Sequence, residues 1–282
     1  MSGPVGHDGP VTDIPPLPSL TPDSVRLDGR VVVVTGAANG IGRATAVLCA
    51  QFGADVAVCD RDADGLATLP DEVSDTGRTV HTAVLDVRDA DAVDGFMAEV
   101  GERFGSVHGV VNNAGGTFRA DFTDSSAKGD QALIAENFTS VLHVTRAAVA
   151  LMPATGGAVV NVTSSEAFQA APGFAVYAAM KSGVESLTKT LALELGPAGV
   201  RVNSVSPDGI PTAGDASLAE AVQDASLFVP PPMPPIGHFA APSDCASVIV
   251  FLLGDLARFV TGSAVHVDGG LHAAGGWHRT AG

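Results

Sequence analysis

The sequence predicts an α/β fold: a doubly wound parallel sheet of seven strands in a single domain. Three observations predict it. Strand and helix patterns alternate from Arg26 to Val267. The first strand pattern, Val31–Thr35, is an unbroken β-branched run, as expected for a strand buried on both faces. A glycine-rich turn then joins that strand directly to a helix.

Taken in order, a helix follows the turn over residues 41–52, and residues 55–59 and 79–85 form the second and third strands. A helix over Ala90–Phe104 leads to a fourth strand at 108–112. A long helix covers about 128–152, a fifth strand 157–163, and another long helix 174–195, stopped by Gly196-Pro197. The sixth strand is 200–206 and the seventh Ala264–Val267, with a Pro-rich segment and a helix near 243–253 between them. Right-handed crossovers place helices on both faces. Ligands then bind beyond the C-terminal strand ends, where the strand order switches. The domain spans residues 25–270. Residues 1–24, rich in Gly and Pro, read as a flexible arm, and 271–282 as a tail that contains Trp277.

Composition narrows the function. Of the 282 residues, 46% are apolar and only 16% charged, enough for a sizeable core. The net charge is −16 and no Lys/Arg-rich run exists, which argues against nucleic acid or an anionic membrane as partner. No 18-residue apolar stretch predicts a membrane span, and residues 1–23 lack a basic segment followed by an apolar run. Cys49, Cys59 and Cys245 form no CxxC pair and read as buried thiols of a reducing compartment, so a cytoplasmic protein is expected. The histidines show no metal-ligand spacing, and no metal site is expected.

The turn reads Thr35-Gly36-Ala37-Ala38-Asn39-Gly40-Ile41-Gly42. Gly36 permits a tight turn, Gly40 lets backbone approach a pyrophosphate, and Gly42 lets helix and strand pack closely. The helix N-terminus offers free N–H groups to phosphate. Asp60 ends the second strand, where a carboxylate hydrogen-bonds a ribose 2′-hydroxyl and repels a 2′-phosphate. That favours NAD over NADP, although Arg61 is placed to accommodate the phosphate, and both are also readable as solvated loop charges. Asp86, before Val87, is placed either to accept from an adenine amino group or to cap the helix that begins near Asp89.

Tyr177 is the only tyrosine, and Lys181 follows it by four residues, on the same helical face. A neighbouring ammonium stabilises the phenolate, so the pair suits general acid/base work on a carbonyl or alcohol. Ser164 ends the fifth strand thirteen residues before Tyr177. It reads as a hydroxyl facing Tyr177 or as an ordinary turn serine.

The ordered set Thr35-Gly36-x3-Gly40-x-Gly42, Asn112-Asn113-Ala114-Gly115, Asn137, Ser164, Tyr177, Lys181 and Val267-Asp268-Gly269-Gly270 resembles the short-chain dehydrogenase/reductase family over about residues 27–270. The resemblance implies a Rossmann-type fold and a catalytic tetrad of Asn137, Ser164, Tyr177 and Lys181. It further implies that Asn113, Ala114 and Gly115 line the cofactor and brace the sheet. Asn137 would kink its helix, and Lys181 would also bind the nicotinamide ribose. Gly36, Asn39, Gly40, Ile41, Gly42, Asp60, Arg61, Asp86, Val87 and Tyr177 complete the implied cofactor contacts with Pro207, Ile210 and Thr212. The family's Pro-Gly-x-Val/Ile-x-Thr motif appears here as Pro207-Asp208-Gly209-Ile210-Pro211-Thr212, with Asp208 in place of the first glycine. That replacement puts the turn conformation and the charge near the substrate in question.

Residues 213–240 match the family's substrate lid and carry Leu218, Leu227, Phe228, Val229 and Met233. An apolar secondary alcohol or ketone is therefore the expected substrate. Glu166 and Gln169 stand ready to add polar contacts. The expected activity is an NAD-dependent alcohol/ketone oxidoreductase. The alternatives are an NADP-dependent enzyme like 3-oxoacyl-acyl-carrier-protein reductase and a non-catalytic cofactor-binding scaffold. By analogy, the helices after Lys128 and Phe174 pair subunits in a homodimer or homotetramer.

Overall fold

A computed structural model describes residues 19–211 and 233–276. Most of the expected arm, the lid up to residue 232, and residues 277–282 of the tail lie outside the described residues, as does Thr212. The strands are β1 (Val31–Thr35), β2 (Asp55–Asp60), β3 (Val80–Val84), β4 (Gly109–Asn112), β5 (Gly157–Val162), β6 (Val200–Pro207) and β7 (Ala264–Val267). They form one sheet in the order β3-β2-β1-β4-β5-β6-β7, and every neighbouring pair is parallel. The order reverses between β1 and β4, which opens a crevice at their C-terminal ends. Every residue of β1 and of β4 is buried, as the all-apolar patterns require.

The helices are α1 (Gly40–Gln51), α2 (Ala63–Ala67), α3 (Leu69–Val73), α4 (Ala90–Phe104), α5 (Ala127–Ile134), α6 (Ser140–Ala150), α7 (Ala175–Leu195), α8 (Pro242–Leu253) and α9 (Leu271–Ala274). Alternation along the strands divides the core. Val32, Val34, Val58 and Val160 pack with α1 and α8 on one face; Val33, Ala57, Val110, Val159 and Val202 pack with α4, α6 and α7 on the other. Start signals act locally. Asp89 accepts from the backbone N–H groups of Asp91 and Ala92 at the head of α4, and Ser126 from Gly129 at the head of α5. Asp86 is therefore not the cap of that helix.

Two differences from the sequence reading have physical causes. Helices α2 and α3 have five residues each, too short for a 3.6-residue period to repeat. The helix expected over 128–152 is broken by a π turn at Ala135–Thr139. Asn137 Nδ2 donates to Leu133 O at 3.1 Å, and Ser140 Oγ to Glu136 O at 2.6 Å, so side chains serve carbonyls where the regular ladder is interrupted.

A buried polar ladder crosses the α7 face. Asn112 Nδ2 donates to Asn161 Oδ1 and to Thr145 Oγ1, both at 2.8 Å, and Asn161 donates to Thr188 at 2.9 Å. One rung further, Glu185 of α7 accepts from Thr163 Oγ1 at 2.6 Å and from Ser204 Oγ at 2.7 Å. It thereby joins β5 and β6 to the helix above them. Each hydrogen bond to a charged partner contributes about 1.5–3 kcal/mol, and orphaned donors add a penalty. Glu185→Ala is therefore expected to lower the unfolding free energy by roughly 2–4 kcal/mol. Exposed Lys189→Ala, one turn on, should stay within about 0.5 kcal/mol. Urea titration of both variants checks the contrast.

Candidate active site

The glycine turn is built against β4. Gly36 takes φ +67°, a conformation that a side chain would strain. A Cβ added at Gly42 would sit 2.0 Å from Gly36 O and 2.4 Å from Asn113 Nδ2, so only glycine admits this approach of α1. Asn113 Nδ2 holds the turn by donating to Thr35 O and Gly36 O at 3.0 and 2.9 Å. The backbone N–H groups of Asn113 and Ala114 both donate to Thr35 Oγ1. Asn39 occupies the N-cap of α1 without a side-chain capping bond, and Gly40 and Ile41 open the helix. A twelve-residue helix thus begins at the crevice with N–H groups available to an anion.

Asp60 lies beside this turn and accepts from Ala38 N at 2.9 Å and Asp62 N at 3.1 Å. Arg61 donates to Glu136 Oε1 at 2.8 Å, which neutralises the cation nearest the Asp60 carboxylate in sequence. Arg43 ties the turn to α2 and α3 through Ala38 O, Gly65 O, Thr68 and Glu72. Asp86 is clasped by Arg88. That hydrogen bond holds its carboxyl below the usual range despite partial burial, and Val87 beside it is buried in the core. Arg43 and Glu136 carried no sequence signal, because each acts through partners distant in the chain, and Arg88 read only as one charge beside Asp86. The turn, the open helix end and the adjoining carboxylate fit a dinucleotide.

The catalytic candidates converge at the C-terminal ends of β4 and β5. Lys181 is 5% exposed, and its Nζ donates to Val162 O at 3.0 Å. The same atom lies 5.5 Å from the centroid of the Tyr177 ring. Burial pulls the ammonium down to about 8, against the attraction of Glu136, Glu166 and Glu185. Asn137, fully buried in the π turn, donates to Gly116 O at 2.8 Å and accepts from Gly116 N at 3.3 Å. Between it and Lys181 passes Gly115, where an added Cβ would meet Asn137 Oδ1 at 2.8 Å and Lys181 Nζ at 3.3 Å. A phenol, a buried ammonium and a strand-end hydroxyl on one crevice can exchange a proton with an alcohol or carbonyl oxygen.

Ser164 Oγ donates to Glu166 Oε2, and Ser165 Oγ donates to Asp208 Oδ2 at 2.5 Å. Burial first, then the Asp208 charge, pushes the Glu166 carboxyl up. Asp208 does not disturb its turn. Gly209 takes the positive φ, +62°, and donates its N–H to Asp208 Oδ1 at 2.7 Å. Pro207 ends β6, and the Ile210 side chain is buried in the core. The described end of the lid docks over the tips of β6 and β7, with Ala240 N donating to Gly209 O and Ile236 N to Gly269 O, both at 3.0 Å. Asp268 accepts from Gly270 N and His272 N, setting the start of α9. Around the crevice, Phe118, Phe122, Met233, Ile236 and Phe239 are exposed.

Residues 36–272 match the family model described as enoyl-(acyl carrier protein) reductase. The 3-oxoacyl-acyl-carrier-protein reductase of Thermotoga maritima is 37% identical over 248 residues, which cover 88% of this chain and 99% of that relative. The cyclohexanol dehydrogenase of Rhodococcus sp. is 35% identical over 270 residues, 88% of this chain and 98% of that relative. The crystal structure of carveol dehydrogenase from Mycobacterium avium in complex with NAD superposes with a TM-score of 0.80 at 31% identity, covering 86% of this chain and 98% of that one.

Lys181 has a measurable cost. Its proton affinity falls from 10.5 in a free lysine to about 8 in the fold. Between those values the unfolded chain binds more protons, so this contribution to stability rises with pH across that window, and below about 8 the full cost is present. Lys181→Met is expected to be more stable than the native protein at pH 7, by up to about 3 kcal/mol. The advantage should shrink between pH 8 and 10.5; urea midpoints across that range test it.

Proposed function

The chain belongs to the short-chain dehydrogenase/reductase family, enzymes that act on CH–OH groups, and on that premise we propose that it interconverts a neutral secondary alcohol and its ketone with NAD. The observation that carries this reading is Lys181, buried and charged beneath the Tyr177 ring at the mouth of the glycine-turn crevice.

In this reading the N-terminus of α1 and the turn Gly36 to Gly42 hold the pyrophosphate. Asp60 takes the adenosine ribose, Asp86 and Val87 flank the adenine, and Ala114 and Gly115 line the floor. Lys181 binds the second ribose, and Pro207, Ile210 and Thr212 border the carboxamide. When bound, the nicotinamide supplies or accepts the hydride. Ser164 holds the substrate oxygen. Tyr177 takes the proton from the alcohol or returns it to the ketone oxygen, with the Lys181 ammonium stabilising the phenolate. Asn137, bonded to Gly116, fixes the loop after β4 where Gly115 packs against Lys181 Nζ.

Two features support NAD over NADP. Asp60 is held at the turn by Ala38 N, and Arg61 is already paired with Glu136. The NAD complex of carveol dehydrogenase agrees with this choice. An apolar substrate is supported by the exposed Phe118, Phe122, Met233, Ile236 and Phe239, and by Asp208, whose carboxylate repels anions. The names of the cyclohexanol and carveol relatives point the same way. Assembly with further copies is supported by Leu193 of α7 and by Phe259, 81% and 98% exposed in the single chain. A second reading, reduction of a 3-oxoacyl thioester with NADPH, rests on the 37% identity with the Thermotoga maritima reductase.

A panel of secondary alcohols with NAD at alkaline pH, run against a 3-oxoacyl thioester with NADPH, separates the two readings. Tyr177→Phe is expected to lower turnover by about 10²–10⁴-fold while NADH binding persists; full turnover in that variant sinks the mechanism. Glu136→Gln releases Arg61 and should improve use of NADP several-fold relative to NAD. Tighter binding of NADPH than NADH by the native protein would overturn the NAD assignment.

A further inference from the structure

The reaction needs the Ser164 hydroxyl hydrogen to point at the substrate oxygen, yet the structure commits that hydrogen elsewhere. Ser164 Oγ is in close contact with Glu166 Oε2, and Ser164 is only 6% exposed. A serine hydroxyl has one hydrogen. If Glu166 is ionised it accepts only, so the hydrogen must point at the carboxylate. If Glu166 is protonated, its own O–H donates to Ser164 Oγ, and the serine hydrogen is released.

We propose that Glu166 is a positioning residue, whose proton turns the Ser164 hydroxyl from the carboxylate toward the substrate oxygen. The inference rests on the alcohol/ketone reading above. In the competent state the chain of donors runs from Glu166 through Ser164 to the ketone oxygen. No proton passes through Ser164: the proton that ends on the substrate comes from Tyr177, and Glu166 keeps its own. A donor aimed at the oxygen where charge develops is worth far more in a water-poor site than in bulk solvent.

The surroundings favour the protonated form. From the end of β6, Asp208 faces Glu166 with like charge, and Ser165 spends its hydroxyl hydrogen on Asp208. From α7, Lys181 opposes this more weakly. On its own turn Glu166 meets the Ser164 and Ser165 hydroxyls. His266 of β7 and His272 of α9 stack on each other and meet the Phe168 ring, two residues further on, edge to face. Burial and Asp208 together push the Glu166 carboxyl above its ordinary 4.5. Asp208, the departure from the family motif, thus gains a role: it adds to the burial that strengthens its neighbour's hold on a proton.

The sign follows. Ketone reduction is fastest below the Glu166 titration and falls as pH rises through it, before the separate loss of the Tyr177 proton. The test is kcat/KM for NADH-dependent reduction of cyclohexanone from pH 5 to 10. The native enzyme should drop about tenfold or more at the lower step, within the range seen when one donor to a developing oxyanion is removed. Glu166→Gln carries a permanent N–H donor. It should keep the low-pH rate through that step and fall only at the higher one, where Lys181, near 8, and Tyr177 lose their protons. Asp208→Asn should move the step down toward the ordinary carboxylate range. A native profile without the lower step, or a Glu166→Gln profile that retains it, overturns the proposal. If Tyr177→Phe turns over as fast as the native enzyme, it is the alcohol/ketone reading that fails instead.

Discussion

Lys181 carries its charge where water barely reaches it, and much of the surrounding structure follows from keeping it there. Desolvation alone would strip the ammonium of its proton. Three acidic side chains, Glu136, Glu166 and Glu185, oppose that, Glu166 only while it is ionised. Each is also tied to something else: Glu136 to Arg61 beside the nucleotide turn, Glu185 to Thr163 and Ser204 across β5 and β6, Glu166 to Ser164. One buried cation therefore couples the cofactor mouth, the sheet and the substrate hydroxyl electrostatically. A hydrophobic residue would pack there at lower cost, so the strain at this point belongs to chemistry rather than to folding.

The sheet supplies the rigidity that this arrangement needs. The crevice exists because the strand order reverses between β1 and β4, and Thr35 and Asn113 clamp those two strands at their ends. Asn112, next to Asn113 in the chain, bonds instead to β5 and α6. Adjacent asparagines thus divide the labour: one shapes the turn and the other fixes the strands below the catalytic candidates. Positions set by several hydrogen bonds at once move little, as a preorganised site requires.

All seven strands were legible in the sequence, with ends displaced by a residue or two; the inner ones announce themselves as buried apolar runs, whereas the edge strands β3 and β7 contain no buried residue. The turn, Tyr177, Lys181 and Ser164 were legible for a related reason: each sits where a strand or helix begins or ends, and local spacing fixes their faces. What stayed hidden depends on which of several available partners the fold selects, whether distant or nearby in sequence. Arg61 read as a possible phosphate ligand until Glu136 was seen to occupy it. Asp86 read as a possible helix cap, but Asp89 does that work and Arg88 holds Asp86. Asp208 looked like a threat to its turn, yet the positive φ falls on Gly209. The two five-residue helices were too short to show any period.

The π turn at Ala135–Thr139 sets the angular offset between the helical segments on either side of it. Such a turn holds one residue more than the α-helix it interrupts. A chain one residue shorter there would close into a regular helix and rotate Asn137 by about 100° relative to the helix on one side, since each α-helical residue turns through that angle. The amide would then swing off Gly116, and α6 would present a different stripe to β4 and β5. A single-codon deletion in this stretch would therefore be felt along an entire helix, whereas one in an exposed loop would be absorbed within a few residues.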